Sequence, residues 1–472
     1  MWQTEDAYID GKFVPVTGNE VIQIYNPSNG RLIGTTRLAS RADARQAIRA
    51  ATVAQPSFGL STKAQRLEML QALHQAVLKH SAAICEATIE EYGGPVSRSR
   101  WVSQYSAQCF LNAARVLEEY PLQRKAGDAE IFMEPVGVSA LIIPWNSTAG
   151  TLCSKLAFAI AAGCTSVIKP SEFSPLQNRI VAEALHQAGL PDGIFNILSG
   201  RGEEVGDELS VHPRVAKISF TGSTAVGKII ARAAMDSCKR LTLGMSGKSA
   251  SVLLDDADIA VALPMVLSAA FMNNGQACVA GSRLLVAESQ LEMVSQQIKK
   301  RVDELKVGDP ADPRTVIGPL FSQRQYDRVQ EFIRRGRQQG ARLLTGGEGH
   351  PDGLENGFFV RPTVFTRVSN GMDIAREEIF GPVLSVISYQ DEADAIRIAN
   401  DSDYGLQAYV FSQDPQRALR MSRQLDAGSV LINRIVPELM APFGGVKQSG
   451  IGRELGISGL ESFLEPKSVV TG

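Results

Sequence analysis

The strongest constraint in this chain is a rhythm. Between Val136 and Leu243, short apolar runs alternate with amphipathic helical stretches. The runs are Val138–Ile143, Thr165–Lys169, Ile194–Leu198 and Val215–Phe220, and helical patterns such as Leu176–Gln187 fill the gaps. A run that is apolar throughout is a strand buried on both faces, and strand–helix–strand alternation folds as a parallel, doubly wound sheet. A second α/β stretch runs from Ser251-Val-Leu-Leu254 through helices near Gln290–Leu305 and Arg324–Arg337 to Ser429–Asn433, with a glycine-rich loop at Gly347–Gly357. Ahead of both, Ala7–Val14 alternates about an Asp10-Gly11 turn, which predicts a hairpin. Ala44, Ala47, Ile48 and Ala51 then mark one face of a helix; Leu67, Leu70, Leu73 and Val77 mark a second, and Ser81–Glu91 reads as a third. The expected fold class is α/β, with two doubly wound lobes and no internal repeat.

Composition removes several classes of function. The 472 residues carry 48 basic and 50 acidic side chains, a net charge of −2, so no basic excess exists to neutralise a nucleic acid backbone. Hydrophobic residues at 44% and charged residues at 21% fit an ordinary folded chain rather than a disordered one. The most apolar stretch, Leu156–Ile168, is broken by Gly163 and Thr165, and no run reaches the ~18 residues of a membrane span. The first residues lack the basic-then-apolar pattern of a secretory signal, and six cysteines are too few for a disulfide framework. The expectation is a cytoplasmic enzyme without a membrane or nucleic acid partner.

Ligands of doubly wound sheets collect at the carboxyl ends of the strands. The four ends here read Pro144-Trp145-Asn146, Lys169-Pro170-Ser171-Glu172, Gly200-Arg201-Gly202 and Thr221-Gly222-Ser223-Thr224-Ala225-Val226-Gly227. The last is a glycine turn opening a helix, which suits phosphate, although its spacing is not G-x-G-x-x-G and such turns are more often only turns. Lys169 and Glu172 suit a grip on ribose hydroxyls or, equally, a solvated ion pair. Four polar strand ends around one crevice favour a dinucleotide site. Among the cysteines, Cys85, Cys109, Cys153, Cys164 and Cys238 lie in helical or small-residue apolar surroundings and read as buried packing residues. Cys278 differs: it lies in the polar, glycine-bracketed segment Asn273–Gly281, where a thiol can be reached and activated, or can be merely structural. The five histidines have no metal-ligand spacing, so no metal site is expected, and the adjacent Glu377 and Glu378 cannot face each other as an acid–base pair.

Taken together, these segments resemble the NAD(P)-dependent aldehyde dehydrogenase superfamily across almost the whole chain. The matching motifs are Pro144-Trp145-Asn146, Lys169–Glu172, Phe220-Thr221-Gly222-Ser223, Gly275-Gln276-Ala277-Cys278, Glu377–Pro382 and Pro442–Gly450, in that order. The resemblance implies an aldehyde dehydrogenase-like fold, with an NAD-binding domain over 1–118 and 136–247, a nucleophile-bearing domain over 248–456, and β segments 119–135 and 457–472 that join a homodimer or homotetramer. For those edge segments the plainer reading is a terminal strand folded back on its own chain. Cys278 would attack the aldehyde carbon, with the Asn146 amide and the Cys278 backbone N–H holding the oxyanion. Hydride would pass to nicotinamide and leave a thioester on Cys278. Ile143, Pro144, Trp145, Lys169, Ser171, Glu172, Gly202, Phe220, Gly222, Ser223, Met245, Glu378 and Phe380 would bind the cofactor. Of these, Lys169 and Glu172 would take the adenosine ribose, Gly222 and Ser223 the pyrophosphate, and Glu378 the nicotinamide ribose with Phe380 beside it. A carboxylate at Glu172 repels a 2′-phosphate, so NAD is expected over NADP.

One position departs from the pattern. Relatives carry Glu-Leu-Gly-Gly-Lys where this chain reads Gly244-Met245-Ser246-Gly247-Lys248. The glutamate that activates water to hydrolyse the thioester is therefore Gly244. Three readings stay open. Glu454, matched with Lys155 to a lysine–glutamate pair behind the usual base, can act through a water that Gly244 admits. Another acceptor such as coenzyme A can resolve the thioester. Or the chain is slow or inactive in oxidation and binds NAD without sustained turnover. The substrate passage also differs: Ser147, Thr148, Thr151 and Ser154 are small or polar where relatives are often bulky, and Pro437 and Glu438 replace an aromatic anchor. This predicts a wider, more polar channel, able to take a hydroxylated, branched or ring-bearing aldehyde, unless neighbouring side chains compensate.

Overall fold

The computed structural model describes residues 1–471. Its first large sheet has eight strands in the spatial order Gly450–Ile451, Arg240–Gly244, Lys217–Thr221, Ser139–Ile142, Ser166–Lys169, Phe195–Ile197, Asp6–Ile9 and Lys12–Pro15. The five strands from Arg240–Gly244 to Phe195–Ile197 are mutually parallel. All four predicted apolar runs are among them. Strand Ser139–Ile142 lies between Ser166–Lys169 and Lys217–Thr221, so the winding direction reverses beside it. That reversal opens a crevice at the carboxyl edge, just beyond Ile142 and Thr221. The Asp6–Pro15 hairpin turns through Asp10 and Gly11, both at positive φ (54° and 77°), the geometry that an Asp-Gly pair supplies.

The second large sheet has seven strands, in the order Arg342–Thr345, Thr363–Thr366, Val383–Tyr389, Arg283–Ala287, Ala250–Leu253, Gln407–Phe411 and Ser429–Ile432, parallel except for the first pair. Strand Arg240–Gly244 leaves the first sheet and, after a short link, the chain enters the second at Ala250. The carboxyl edge of one sheet therefore meets the amino edge of the other. A small antiparallel sheet joins Gln123–Ala126, Ala129–Pro135 and Leu464–Val470 within the one chain. Another small sheet combines Trp2–Thr4, Leu32–Arg37 and Val21–Tyr25. No helix among the described residues is long and apolar enough to cross a membrane, and Gly472 lies outside them.

Three local readings of the sequence change. The segment Ser81–Glu91 is not one helix: the α-helix ends at Ala87 and a wider π turn covers Thr88–Tyr92, ending at Gly93. The turn lets the Glu91 carboxyl accept from the backbone N–H groups of Leu176 (2.7 Å) and Gln177 (3.2 Å), and points the Tyr92 hydroxyl at Asn273 O (3.2 Å). Strand Arg240–Gly244, which carries Gly244, was hidden because its first half, Arg240-Leu241-Thr242, has mixed polarity. Cys238 is exposed rather than buried, at a positive-φ turn before that strand.

Arg66 locks the helices that carry the site. It is buried, and its guanidinium donates to Ala162 O (2.9 Å), Gly59 O (3.0 Å) and Ser61 Oγ (2.9 Å). It thereby satisfies the C-terminal carbonyls of helices Arg41–Gly59 and Thr148–Ala162, where a cation also complements the helix dipole. Arg66→Met leaves those carbonyls without a donor. The expected loss is about 3 kcal/mol of unfolding free energy, measured by urea denaturation.

Candidate active site

Cys278 stands on the loop between helix Ile259–Phe271 and strand Arg283–Ala287. Before it, Asn273, Asn274 and Gly275 are all left-handed (φ 54°, 60° and 72°). Such a run persists only where its surroundings hold it. Asn274 donates to Gly93 O (3.1 Å) and Pro319 O (3.0 Å) and accepts from Gly318 N (2.7 Å). Asn273 Nδ2 donates to Asn146 O (2.9 Å) and Gln276 O (3.1 Å). Gln276 is fully buried; its Nε2 donates to Tyr92 Oη (3.0 Å) and its Oε1 accepts from Phe321 N (3.0 Å). At Gly275 a Cβ would fall 2.2 Å from the carbonyl carbon of Gly381, so only glycine fits. Finally, Asn146 Nδ2 donates to Gln276 O (2.8 Å). An amide nitrogen has two hydrogens, which leaves one to offer to an oxygen bonded at the Cys278 carbon partner.

The thiol is partly exposed, yet sunk among protein atoms. Burial pushes it up to about 12, and the fields of Glu378 and Glu454 add to the rise. Glu378 is pushed up by burial as well, against its hydrogen bonds from the Ser246 hydroxyl and Gly247 N. Cys109, Cys153 and Cys164 are buried, as the sequence reading expects. Because the Cys278 thiol titrates above the working range, alkylation of Cys278 by iodoacetamide in the ligand-free protein should quicken about tenfold per pH unit from pH 7 to 10, followed by peptide mass. A plateau below pH 9 would contradict this assignment.

A cavity of about 1110 Å³ runs along the crevice at the winding reversal. Pro144, Trp145, Asn146, Gly222, Ser223, Met245, Cys278, Glu378 and Phe380 all line it, so one space gathers half of the residues singled out from sequence. Ser223 caps helix Thr224–Met235, whose N-terminus opens here. An aromatic wall backs the cavity: Trp145 stacks on Phe321 (4.6 Å between centroids) and meets Phe380 edge-on (5.5 Å). Phe321 was missed, because Pro319-Leu320-Phe321 carries no motif. Lys169 Nζ lies 3.2 Å from Glu172 Oε2, and Arg201 lies 3.6 Å from Glu172 while also binding Glu20. The other members of the set play supporting parts. Phe220 packs beneath Gly222, whose Cβ would strike its ring at 2.5 Å. Ile143 and Ser171 are buried, with Ser171 Oγ turned to Phe173 N (3.3 Å). Gly202 opens a helical turn at the surface.

A second cavity, of about 20 Å³, is lined by Gly244, Thr221, Met245, Cys278, Phe443 and Glu454, among others. Its size suits one water molecule. Gly244 is the last residue of its strand, paired with Thr221 on one side and Gly450 on the other. A Cβ there would meet Thr221 Oγ1 at 3.4 Å and nothing nearer, so neither space nor backbone demands glycine. Glu454 is held by an ion pair with buried Lys155, whose Nζ also donates to Ser219 Oγ (2.9 Å). Thr148 does not line a channel: it is buried, and its hydroxyl bonds Pro144 O (3.1 Å) and Ser174 Oγ (3.0 Å). Ser154 is likewise buried, hydrogen-bonded to Tyr105. Neither widens the passage, because internal hydrogen bonds and packing consume both hydroxyls.

The chain matches the aldehyde dehydrogenase family over residues 13–469. It is 43% identical over 98% of both chains to a 3-succinoylsemialdehyde-pyridine dehydrogenase from a Pseudomonas species. Among solved structures it superposes with a TM-score of 0.97 on a Cys-to-Ala variant of aldehyde dehydrogenase C from Pseudomonas syringae, complexed with NAD+ and octanal (40% identity; 99% of this chain, 96% of that one). An NAD+ complex of a Mycobacterium tuberculosis aldehyde dehydrogenase gives 0.97 at 36% identity, over 100% of this chain and 98% of that one. The chain belongs to the aldehyde dehydrogenase family and is an oxidoreductase with that fold.

Proposed function

We propose that this protein oxidises an aldehyde to a carboxylic acid with NAD, the acyl group passing through Cys278, and that Glu454 replaces the absent base. The observation that carries the reading is the position of Cys278, whose side chain borders both the large cavity and the small one at Gly244. The large cavity fits a dinucleotide. Its volume is ample, a helix N-terminus opens into it at Ser223, and Glu172 lies near one end between Lys169 and Arg201. When bound, NAD supplies the hydride acceptor.

The chain's own residues do the rest. Cys278 gives up its thiol proton to solvent as Sγ bonds to the aldehyde carbon, and the carbonyl oxygen, now negative, takes the free Asn146 N–H and the Cys278 backbone N–H. Loss of hydride from that carbon leaves a thioester. A water in the Gly244 cavity attacks the thioester carbon, Glu454 takes its proton, and Cys278 leaves as thiolate. Lys155 and Ser219 orient the Glu454 carboxylate from behind. The carboxylate of Glu172 also supports NAD over NADP, although Arg201 beside it tempers the repulsion of a 2′-phosphate. The exposed strand Gln123–Ala126, at the edge of its small sheet, supports pairing in a homodimer or homotetramer. Six free cysteines support a reducing compartment such as the cytoplasm.

Rapid-mixing NADH absorbance over a panel of aldehydes, followed by intact mass, tests this. The wild type should turn over repeatedly without an adduct. Glu454→Gln should give one NADH per subunit and then stall with an acyl mass on Cys278. Gly244→Glu should raise the steady-state rate by up to about 10²-fold where deacylation limits, while slowing formation of the first NADH. A wild type that itself stalls as the acyl-enzyme would refute the Glu454 assignment, and addition of coenzyme A would then test that acceptor. In the same assay Glu172→Ser should raise kcat/KM for NADP at least about tenfold relative to NAD.

A further inference from the structure

Arg98 is a charged residue without a partner. Its Nε is buried and makes no hydrogen bond, no acceptor takes any of its guanidinium N–H groups among the described residues, and no carboxylate faces it. The groups whose fields it feels are Tyr92, Tyr105 and the Cys278 thiol. The guanidinium lies over the Trp101 ring at 4.3 Å, and Trp101 stacks on Tyr105 (5.0 Å, 8° between planes). The three side chains form a column along helix Val96–Glu119, at spacings that share one face. Tyr105 at its lower end packs on Gly150, in the helix that follows Asn146, while Trp101 at the middle is partly open to solvent.

Stability does not explain this arginine. It sits in the first turn of its helix, which has no side-chain cap and no acid, so its charge opposes the helix dipole. The side chain is half-buried, with Nε closed off from solvent, and a buried donor left unmade is costly. Such a group is retained where its partner comes and goes. The partner must be an acceptor with negative charge, and it arrives on the side of the site where Arg98 feels the Cys278 thiol.

We propose that Arg98 binds a carboxylate on the substrate, so that the preferred substrate is an aldehyde carrying a carboxylate at the far end of its chain. The fork of guanidinium N–H groups matches the two oxygens of a carboxylate, while Trp101 and Tyr105 cover the apolar segment between the two ends. This rests on the aldehyde reading of the site, and the test separates the two.

A homologous series of short ω-carboxyaldehydes is compared with the corresponding methyl esters, in wild type, Arg98→Met and Arg98→Lys, with NADH formation as readout. The wild type should prefer the acid over the ester by about tenfold or more at its best chain length, with the difference in KM. Arg98→Met should lose that preference while its kcat and KM for the esters stay within about twofold, and Arg98→Lys should recover part of it. Unchanged or raised thermal stability of Arg98→Met accompanies this result. No preference for the acid at any length, or equal losses on acids and esters, would overturn the proposal, the second outcome assigning Arg98 to the thiol. If no aldehyde yields NADH, calorimetric titration of adipate decides independently. Binding that weakens about tenfold in Arg98→Met upholds the anion subsite while the oxidation reading falls. No Arg98-dependent binding rejects the subsite.

Discussion

The carbonyl oxygen of Gln276 holds the site together. It accepts from Asn146 on the first lobe (2.8 Å) and from Asn273 on its own loop (3.1 Å). These two bonds tie the end of strand Ser139–Ile142 to the turn that carries Cys278. Remove them and the left-handed run Asn273-Asn274-Gly275 loses a main restraint, the thiol moves, and the second Asn146 amide hydrogen is no longer set for the carbonyl oxygen that the proposed mechanism brings to Cys278. The same bonds join the sheet edge that suits a dinucleotide to the loop that carries Cys278. Preorganised donors of this kind need no rearrangement when charge develops on oxygen.

The electrostatics around Cys278 follow from which charges the fold admits. Glu378 and Glu454 both raise the thiol's titration point. A glutamate at position 244 would place a third carboxylate against the same cavity. Glycine removes that repulsion, which eases formation of the thiolate, and lengthens the path from water to base. In the proposed mechanism, glycine here therefore moves difficulty from the first chemical step to the last. Lys248, buried and pushed down to about 7 by its surroundings, adds no firm positive charge to offset the carboxyls.

The parallel core was legible in the sequence because a strand buried on both faces is apolar throughout, as Ser139–Ile142 and Ser166–Lys169 are. The strand ends gave the crevice for the same reason. The cysteine loop required more: Cys278 precedes its strand, at the amino edge of the second sheet, so the strand-end rule could not reach it, and only the resemblance assigned it a role. Phe321 was invisible because it stacks on Trp145, distant in sequence, and Arg98 because an unpaired guanidinium leaves no sequence signal. Thr148 misled because a small polar residue looks the same lining a channel as donating to a buried carbonyl. Strand Arg240–Gly244 was lost to its mixed polarity: Lys217 reaches across to Thr242 (2.7 Å), satisfying a hydroxyl that a buried strand would otherwise not tolerate.

The network behind Gly244 is better suited to moving a proton than to stabilising the fold. Lys155 and Lys217 lie close enough to repel each other, and burial pushes Lys217 down to about 8. Placing two amines and the Glu454 carboxyl in one poorly solvated volume gains little stability over apolar packing. It does leave several groups able to share protons within hydrogen-bond reach: Glu454, Lys155 and Ser219 are linked in one cluster, and Lys217 with Thr242 forms the next. A single water admitted to the cavity between this cluster and Cys278 would be held by its walls, so in the proposed mechanism the entropy of bringing it to the thioester would be largely spent before reaction. Space for one water beside the Glu454 carboxylate is what the proposed hydrolysis needs where position 244 carries no side chain.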